Sequence, residues 1–363
     1  MARPENRHQK ATPARNPDDN GNRRSQTARS VTTWSPSPRA ACWSWPRRVR
    51  CRHRGGSRRK GAHMTERVVI TGASSGLGQA AAEEVAATGR HVVLACRDAD
   101  RGAAAADEIR ARVPDASLEV LELDLADLAS VRAAAKALLA GPPLGALVCN
   151  AGVQVVGGIR RSRDGHELTF ATNHLGHFLL TRLLLDHLAE AGRIVLVSSG
   201  THYGPRRSMG FPAPHWENPS ALADPELSVL DDSPRSGRIR YATSKLANIY
   251  TTYELNRRRN GRRITVNAFD PGLMPQTGLA RDYPDRFRRL YGRIAPVLVR
   301  AVPGVRSVAR SAADLSWLVT AGEPGVVSGL YFVGRRPRKT SDESYDRVRA
   351  LELWEFSERL VSE

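Results

Sequence analysis

At 363 residues the chain is long enough for one large domain or two ordinary ones, and either would bury a substantial core. Its net charge of +18 is unevenly spread: residues 1–63 hold 14 Arg and 2 Lys against Glu5, Asp18 and Asp19, which is +13 and leaves +5 for the remainder. Four cysteines, two of them in that basic stretch, give neither a disulfide framework nor a CxxC metal site. No apolar run approaches the roughly 18 residues that span a bilayer, and the start lacks the apolar segment of about 7 to 15 residues in a secretory signal. A cytoplasmic enzyme is the expectation.

Residues 1–63 carry Pro, Ser, Gly and Arg but almost no Ile, Leu or Phe, so they cannot bury enough apolar surface to offset the entropy of ordering. A disordered basic N-terminal extension is expected, with residues 64–363 as the domain. Three accounts of the extension stay open. Met64 directly precedes a strand and reads as a start, which makes the preceding stretch an upstream extension. The Arg-rich, acid-poor composition also suits a transit peptide. Trp34, Trp43 and Trp45 beside Arg47, Arg48, Arg50, Arg52 and Arg54 interleave aromatic and basic groups, as a nucleic-acid tether would.

From Arg67 the chain alternates short apolar runs with helical stretches: Val68–Thr71 and a helix from Leu77, then His91–Cys96 and a helix over Ala103–Arg112. Leu118–Leu123, Ala146–Cys149, Arg193–Ser198 and Ile264–Phe269 continue the pattern, with Cys96 and Cys149 as small hydrophobes in strands. Strands that are apolar throughout imply a sheet covered on both faces, a single Rossmann-type doubly wound parallel sheet of α/β class. Two stretches break the rhythm. Gly200–Arg240 is a long irregular segment whose His202, Tyr203, Phe211 and Trp216 suit either a binding wall or loop packing. Leu273–Pro303 mixes arginines with Leu290, Tyr291, Ile294 and Leu298, and reads as an amphipathic lid rather than a membrane-surface contact.

The first strand runs into Thr71-Gly72-Ala73-Ser74-Ser75-Gly76-Leu77-Gly78, whose glycines permit a tight turn and close approach of backbone to a pyrophosphate at a helix N-terminus. After the second strand comes Arg97, where an arginine pairs with the 2′-phosphate of NADP and an acidic residue would accept the 2′-hydroxyl of NAD. Asp98 beside it keeps NAD open as the less favoured cofactor. Tyr241 and Lys245 are four residues apart at the opening of a helical stretch and share one face. A phenol has an unperturbed pKa of roughly 10, and a nearby ammonium favours its phenolate, so the pair can act as a tuned general acid/base. Ser199 stands at the carboxyl end of the fifth strand, where its hydroxyl can donate to a carbonyl oxygen gaining charge. Ser198 reads as capping the strand end or packing.

Taken in order, the Thr71–Gly78 turn, Asp124-Leu125, Asn150-Ala151-Gly152, Asn173, Ser199, Tyr241 with Lys245 and Asp270-Pro271-Gly272 resemble the short-chain dehydrogenase/reductase family, over Arg67–Glu363 and none of the extension. The resemblance implies that Asp124 and Leu125 meet the adenine, that Asn150, Ala151 and Gly152 line the cofactor groove, and that Asn173 holds a water-linked proton relay to Lys245. It further implies that Lys245 binds the nicotinamide ribose, that Pro271, Gly272 and Thr277 contact the nicotinamide side, and that the chain forms a homo-oligomer. Thr172–Phe178 is similar to the subgroup of retinol dehydrogenases and light-dependent protochlorophyllide reductases. Within it His174 and His177 have no third ligand, so packing or polar roles are expected and no metal.

Pro271–Leu279 and Leu353–Val361 look most like the protochlorophyllide enzymes, which carry cysteines where this chain has Ala247 and Leu273. Ser244–Asn248 looks more like the retinol dehydrogenases. The expected activity is hydride transfer between NADP(H), supplied as NADPH for reduction, and a bulky apolar alcohol or carbonyl compound. A protochlorophyllide-reductase-like C=C reductase and a non-catalytic NADP(H)-binding sensor or scaffold are the alternatives.

Overall fold

In a computed structural model, residues 66–275, 299–300, 302 and 304–362 are described. The apolar runs become six parallel strands: β1 (Arg67–Thr71), β2 (His91–Cys96), β3 (Leu118–Glu122), β4 (Leu144–Cys149), β5 (Leu188–Val197) and β6 (Thr265–Asp270). Two short strands were not expected. β7 (Tyr331–Val333) adds parallel to β6, and β8 (Arg336–Arg338) closes the edge as an antiparallel hairpin. The order is β3-β2-β1-β4-β5-β6-β7-β8. The chain thus begins mid-sheet, builds outward through β3 and returns beside β1, which leaves a crevice at the carboxyl ends of β1 and β4.

Side chains alternate across the sheet, and helices bury both sets. Val68, Ile70, Val92, Leu94, Val148 and Val195 face α1 (Gly76–Ala86), α2 (Ala99–Arg112) and α8 (Val308–Thr320). Val69, Val93, Leu147 and Ile194 face α3 (Leu128–Leu139), α5 (Gly176–Leu184), α7 (Pro234–Arg258) and the C-terminal α9 (Arg347–Ser362). With neither face in water, the strands need no polar alternation, which is why they read as continuous apolar runs. Among the described residues no helix is long and apolar enough to cross a membrane.

The irregular Gly200–Arg240 stretch holds more structure than expected. It contains a 3-10 turn (Gly200–Tyr203), the short α6 (Pro219–Ala223) and the first turns of α7. Ser233 caps α7 by accepting from the Ser236 N–H, and Pro234 supplies a preset first helical residue. Tyr241 therefore sits two turns inside the helix rather than opening it. The expected extension, the lid between 276 and 298, and Thr277 lie outside the described residues.

Candidate active site

At the carboxyl edge of the sheet a cleft of about 1030 Å³ runs from the ends of β2 and β3 to the ends of β5 and β6. Its floor at β1 is the glycine turn. Gly72 (φ +67°) and Gly76 (φ +60°) adopt the left-handed region that other residues avoid. A Cβ on Gly78 would overlap the Gly72 carbonyl and come within 2.6 Å of Asn150 Nδ2. Ser75 precedes α1 without capping it through its side chain, so the first N–H groups of that helix face the cleft uncapped. This cradle, lined by Ser74, Ser75, Gly76, Leu77 and Gly78, fits a pyrophosphate.

Arg97 is exposed at the end of β2 and borders the cleft together with Arg101. Asp98 is committed elsewhere: its carboxylate caps α2 by accepting from the Arg101 N–H at 3.0 Å. The ribose-side pocket is consequently cationic. Asp124 accepts from the Ala126 N–H at 2.9 Å and stands half-buried on the cleft wall beside Leu125. The close packing of Gly176 against the Leu125 carbonyl, where a Cβ would overlap the oxygen, draws α5 up to this wall.

Thr71 organises the opposite wall. Its Oγ1 accepts from the N–H groups of Asn150 (2.9 Å) and Ala151 (3.0 Å), while Asn150 Nδ2 donates to the Thr71 carbonyl at 2.8 Å. Asn173 lies in a π turn (Ala171–Leu175), closed by the Gly176 N–H on the Ala171 carbonyl, between the short α4 (Leu168–Phe170) and α5. Such wide turns recur at functional sites. Fully buried, Asn173 accepts from Val153 N–H (2.8 Å) and donates to the Val153 carbonyl (2.9 Å) and to Ser244 Oγ (2.9 Å). The beginning of that stretch, Gly152, is held so close that an added Cβ would lie 3.4 Å from Lys245 Nζ.

Ser199, Tyr241 and Lys245 meet at the far end of this wall, and all three border the cleft. Ser199 Oγ accepts from the Thr201 N–H at 3.3 Å, which leaves its hydroxyl proton free to donate. Ser198 is buried and donates to the Lys245 carbonyl at 2.8 Å, a packing role, one of the two expected. Lys245 is buried, its Nζ donating to the Val197 carbonyl at 3.1 Å and lying 5.6 Å from the centre of the Tyr241 ring. Burial lowers its pKa to about 8, with the nearby Asp270 carboxylate pulling the other way.

Two cleft residues, Asp270 of the Asp270-Pro271-Gly272 motif and Arg101, were given no role of their own from the sequence. Asp270, at the end of β6, accepts from Gly272 N–H (2.8 Å) and the Tyr331 hydroxyl (2.9 Å), and burial raises its carboxyl pKa. It fastens the Pro271-Gly272 segment of the cleft to β7. An acid closing an apolar strand is the clue that could have found it. Arg101 could have been found from Asp98 as helix cap. Of the four aromatics in the irregular stretch, Tyr203 and Phe211 line the cleft, whereas Trp216 packs edge-on to Tyr250 at 4.8 Å and His202 edge-on to Tyr331 at 5.0 Å. His174 and His177 are buried and hydrogen-bonded, and among the described residues no His, Cys, Asp and Glu group forms a metal site.

A family model of short chain dehydrogenases matches residues 66–210. Protochlorophyllide reductase A of Triticum aestivum is 37% identical, covering 81% of this chain and 80% of that protein. Retinol dehydrogenase 13 of Homo sapiens is 34% identical over 81% and 84%. Among solved structures, an uncharacterised protein from Mycobacterium paratuberculosis superposes with a TM-score of 0.61 at 32% identity, covering 82% of this chain and 93% of the other. A short chain dehydrogenase from Burkholderia cenocepacia in complex with NADP gives 0.54 at 25% identity over 74% and 95%. With relatives 34–37% identical over about four-fifths of both chains, the chain belongs to the short-chain dehydrogenase/reductase family.

Proposed function

We propose that the domain spanning residues 64–363 is an NADP(H)-dependent oxidoreductase that moves a hydride between the nicotinamide and the carbonyl or alcohol of a bulky, largely apolar substrate, with Tyr241 as general acid/base. The observation that carries this reading is the buried Lys245 ammonium, one helical turn beyond Tyr241 and 5.6 Å from its ring, in a cleft that Ser199 also borders. A positive charge held there favours the phenolate over the phenol, so the proton can leave and return near neutral pH. The Ser199 hydroxyl, already accepting from Thr201, donates its proton to the carbonyl oxygen and orients it.

NADP(H), when bound, supplies or accepts the hydride. The glycine turn and the uncapped start of α1 hold its pyrophosphate, and Asp124, Leu125, Asn150, Ala151 and Gly152 line its path. Pro271 and Gly272, which border the cleft, face the nicotinamide side. Arg97 and Arg101 favour the 2′-phosphate, a choice supported by Asp98 being committed to its helix and by the NADP-bound Burkholderia relative. Asn173, which clamps Val153 and Ser244, acts as a positioning residue for the relay to Lys245.

A second reading, reduction of a C=C bond, is supported by the 37% identity to protochlorophyllide reductase A. Ala247 is wholly buried in the core and cannot meet a substrate, so of the two departures only Leu273, exposed on the cleft wall, bears on it. A screen of NADPH oxidation with apolar aldehydes, ketones and quinones, beside protochlorophyllide in light and dark, separates the two. In either case Tyr241→Phe keeps the ring packed against Phe211 while removing the hydroxyl. Carbonyl turnover is expected to fall by about 10²–10⁴-fold with NADPH affinity unchanged, and near-wild-type turnover would overturn the acid/base role. NADPH binding with no turnover of any substrate would instead leave a sensor or scaffold.

A further inference from the structure

The substrate end of the cleft carries two guanidinium groups, Arg238 and Arg207, that form no ion pair among the described residues. Arg238 lies on α7 three residues before Tyr241, hence on the same side of the helix. Gly237 brings the helix against the 155–156 backbone, since a Cβ there would overlap the Val155 carbonyl, and so sets Arg238 into the cleft wall. The Arg238 Nε is buried without a hydrogen-bond partner, and among the described residues no acid pairs with this side chain. Arg207 enters from the segment after Ser199, its guanidinium stacked 4.1 Å above the Tyr203 ring.

Of the other cleft cations near this end, Arg306 is paired with Asp314 and Lys339 with Asp342, while Arg338 is exposed on β8. The carboxylates that border the cleft are likewise occupied: Asp98 by a helix N–H, Asp124 by Ala126, and Asp270 by Gly272 and Tyr331. Arg238 is half-buried with its Nε shielded and unpartnered, Arg207 is exposed, and the planar fork of a guanidinium matches a carboxylate in two parallel hydrogen bonds. Phe211, edge-on to Tyr241 at 5.9 Å, and Met209 give the same end an apolar lining.

We infer that the substrate is an amphipathic oxo-acid or hydroxy-acid, whose carboxylate is bound by Arg238 with Arg207 in support while its carbonyl or alcohol faces Ser199 and Tyr241. This rests on the oxidoreductase reading above and narrows its substrate class. The cationic pair lies one helical turn and one loop from the phenol, so acid and reacting carbon sit at opposite ends of one substrate.

The test uses the full chain with NADPH and matched probes, 4-formylbenzoate and 4-formylcinnamate against their methyl esters. The wild-type kcat/KM is expected to favour at least one acid over its ester by tenfold or more, mainly through KM. Arg238→Gln should bring that ratio close to one, and Arg238→Lys, which keeps the charge, should retain part of it. A wild-type ratio near one, or a ratio unmoved by Arg238→Gln, overturns the proposal. Should none of the probes turn over, calorimetric binding of the two acids to NADP-loaded protein decides the question: weakening by tenfold in Arg238→Gln keeps the anion site while the reductase reading falls, and equal binding overturns the site.

Discussion

His177 Nε2 lies 2.8 Å from Thr71 Oγ1, tying the π-turn helix to the residue that ends β1. The other ring nitrogen, Nδ1, is 3.1 Å from the Asn173 carbonyl and must donate to it, while Thr71 Oγ1 already accepts from the Asn150 and Ala151 N–H groups and so donates to Nε2. The imidazole is therefore neutral, and one side chain links the Asn173 backbone to the hydroxyl that holds Asn150 and Ala151. A second neutral imidazole, His174, joins the same turn to Ser357 on α9 at 2.8 Å.

These contacts make the fold sensitive to mild acid. Burial lowers His174 to about 3, and His177 and His202 to about 4, each below the 6.5 of an unfolded chain. Between those values the unfolded state binds more protons, so stability is complete above pH 7 and is lost as pH falls from 6.5 toward 4. Three such groups give a slope approaching ~4 kcal/mol per pH unit in mid-window. Asp270 and Glu167, whose carboxyls burial pushes up, act in the opposite sense. Urea unfolding at pH 7, 6.3 and 5.6 should show a falling midpoint at constant slope, and a flat series would contradict neutral burial of the three rings.

A sharper local prediction concerns the glycine turn. In Gly78→Ala the new methyl meets backbone, the Gly72 carbonyl, and cannot be accommodated by a side-chain rotation. A loss of about 1–3 kcal/mol is expected, as for overpacking elsewhere, together with loss of NADPH binding. Gly157→Ala is the control, since nothing lies within 4 Å of its added Cβ. Thermal unfolding and NADPH titration of the two variants check this; equal behaviour would remove the close-approach argument.

Much of this was legible in advance because the physics is local. Strands buried on both faces write themselves as apolar runs, and the close turn between β1 and α1 shows in the spacing of its glycines. Less legible was whatever depends on distant partners. Strand β8 is Arg336-Pro337-Arg338, exposed and charged, and exists because Val333 and Tyr331 offer it an edge. Asn173 looks like an ordinary helix residue until Val153 is brought to its amide. Ala247 and Leu273 looked equivalent as sequence departures, yet one is core and the other cleft wall.

Cofactor preference should depend on Arg97. Asp98 spends one carboxylate oxygen on the Arg101 N–H as the cap of α2, while Arg97 and Arg101 present guanidinium groups at the same end of the cleft. Charge-assisted hydrogen bonds are worth about 1.5–3 kcal/mol, so Arg97→Ala should weaken NADPH by roughly 10- to 100-fold while leaving NADH within a few-fold. Arg101→Ala should act in the same direction. Dissociation constants for the two reduced cofactors, measured side by side, check the prediction. An equal loss for both would place Arg97 outside the phosphate site.

The C-terminal helix is the last support of the site, and Trp354 is its anchor. Only 5% exposed, this ring meets Phe178 of α5 edge-on at 4.9 Å and is covered by the guanidinium groups of Arg182 (5.7 Å) and Arg258 (4.8 Å). Arg182 also pairs with Glu358 at 2.6 Å, so the helix grips α5 and α7 together. Trp354→Ala removes the aromatic filling between them and should cost about 3–5 kcal/mol, transfer and cavity terms combined. Because His174 reaches Ser357 on this helix and Asn173 is its neighbour in the π turn, loosening α9 should reduce turnover beyond the fraction unfolded. Trp354→Phe should recover most of both losses. Denaturant midpoints with kcat/KM measured well below them separate the two effects: a stability loss under 1 kcal/mol would deny Trp354 its anchoring role, and unchanged turnover in the folded variant would uncouple the helix from the relay.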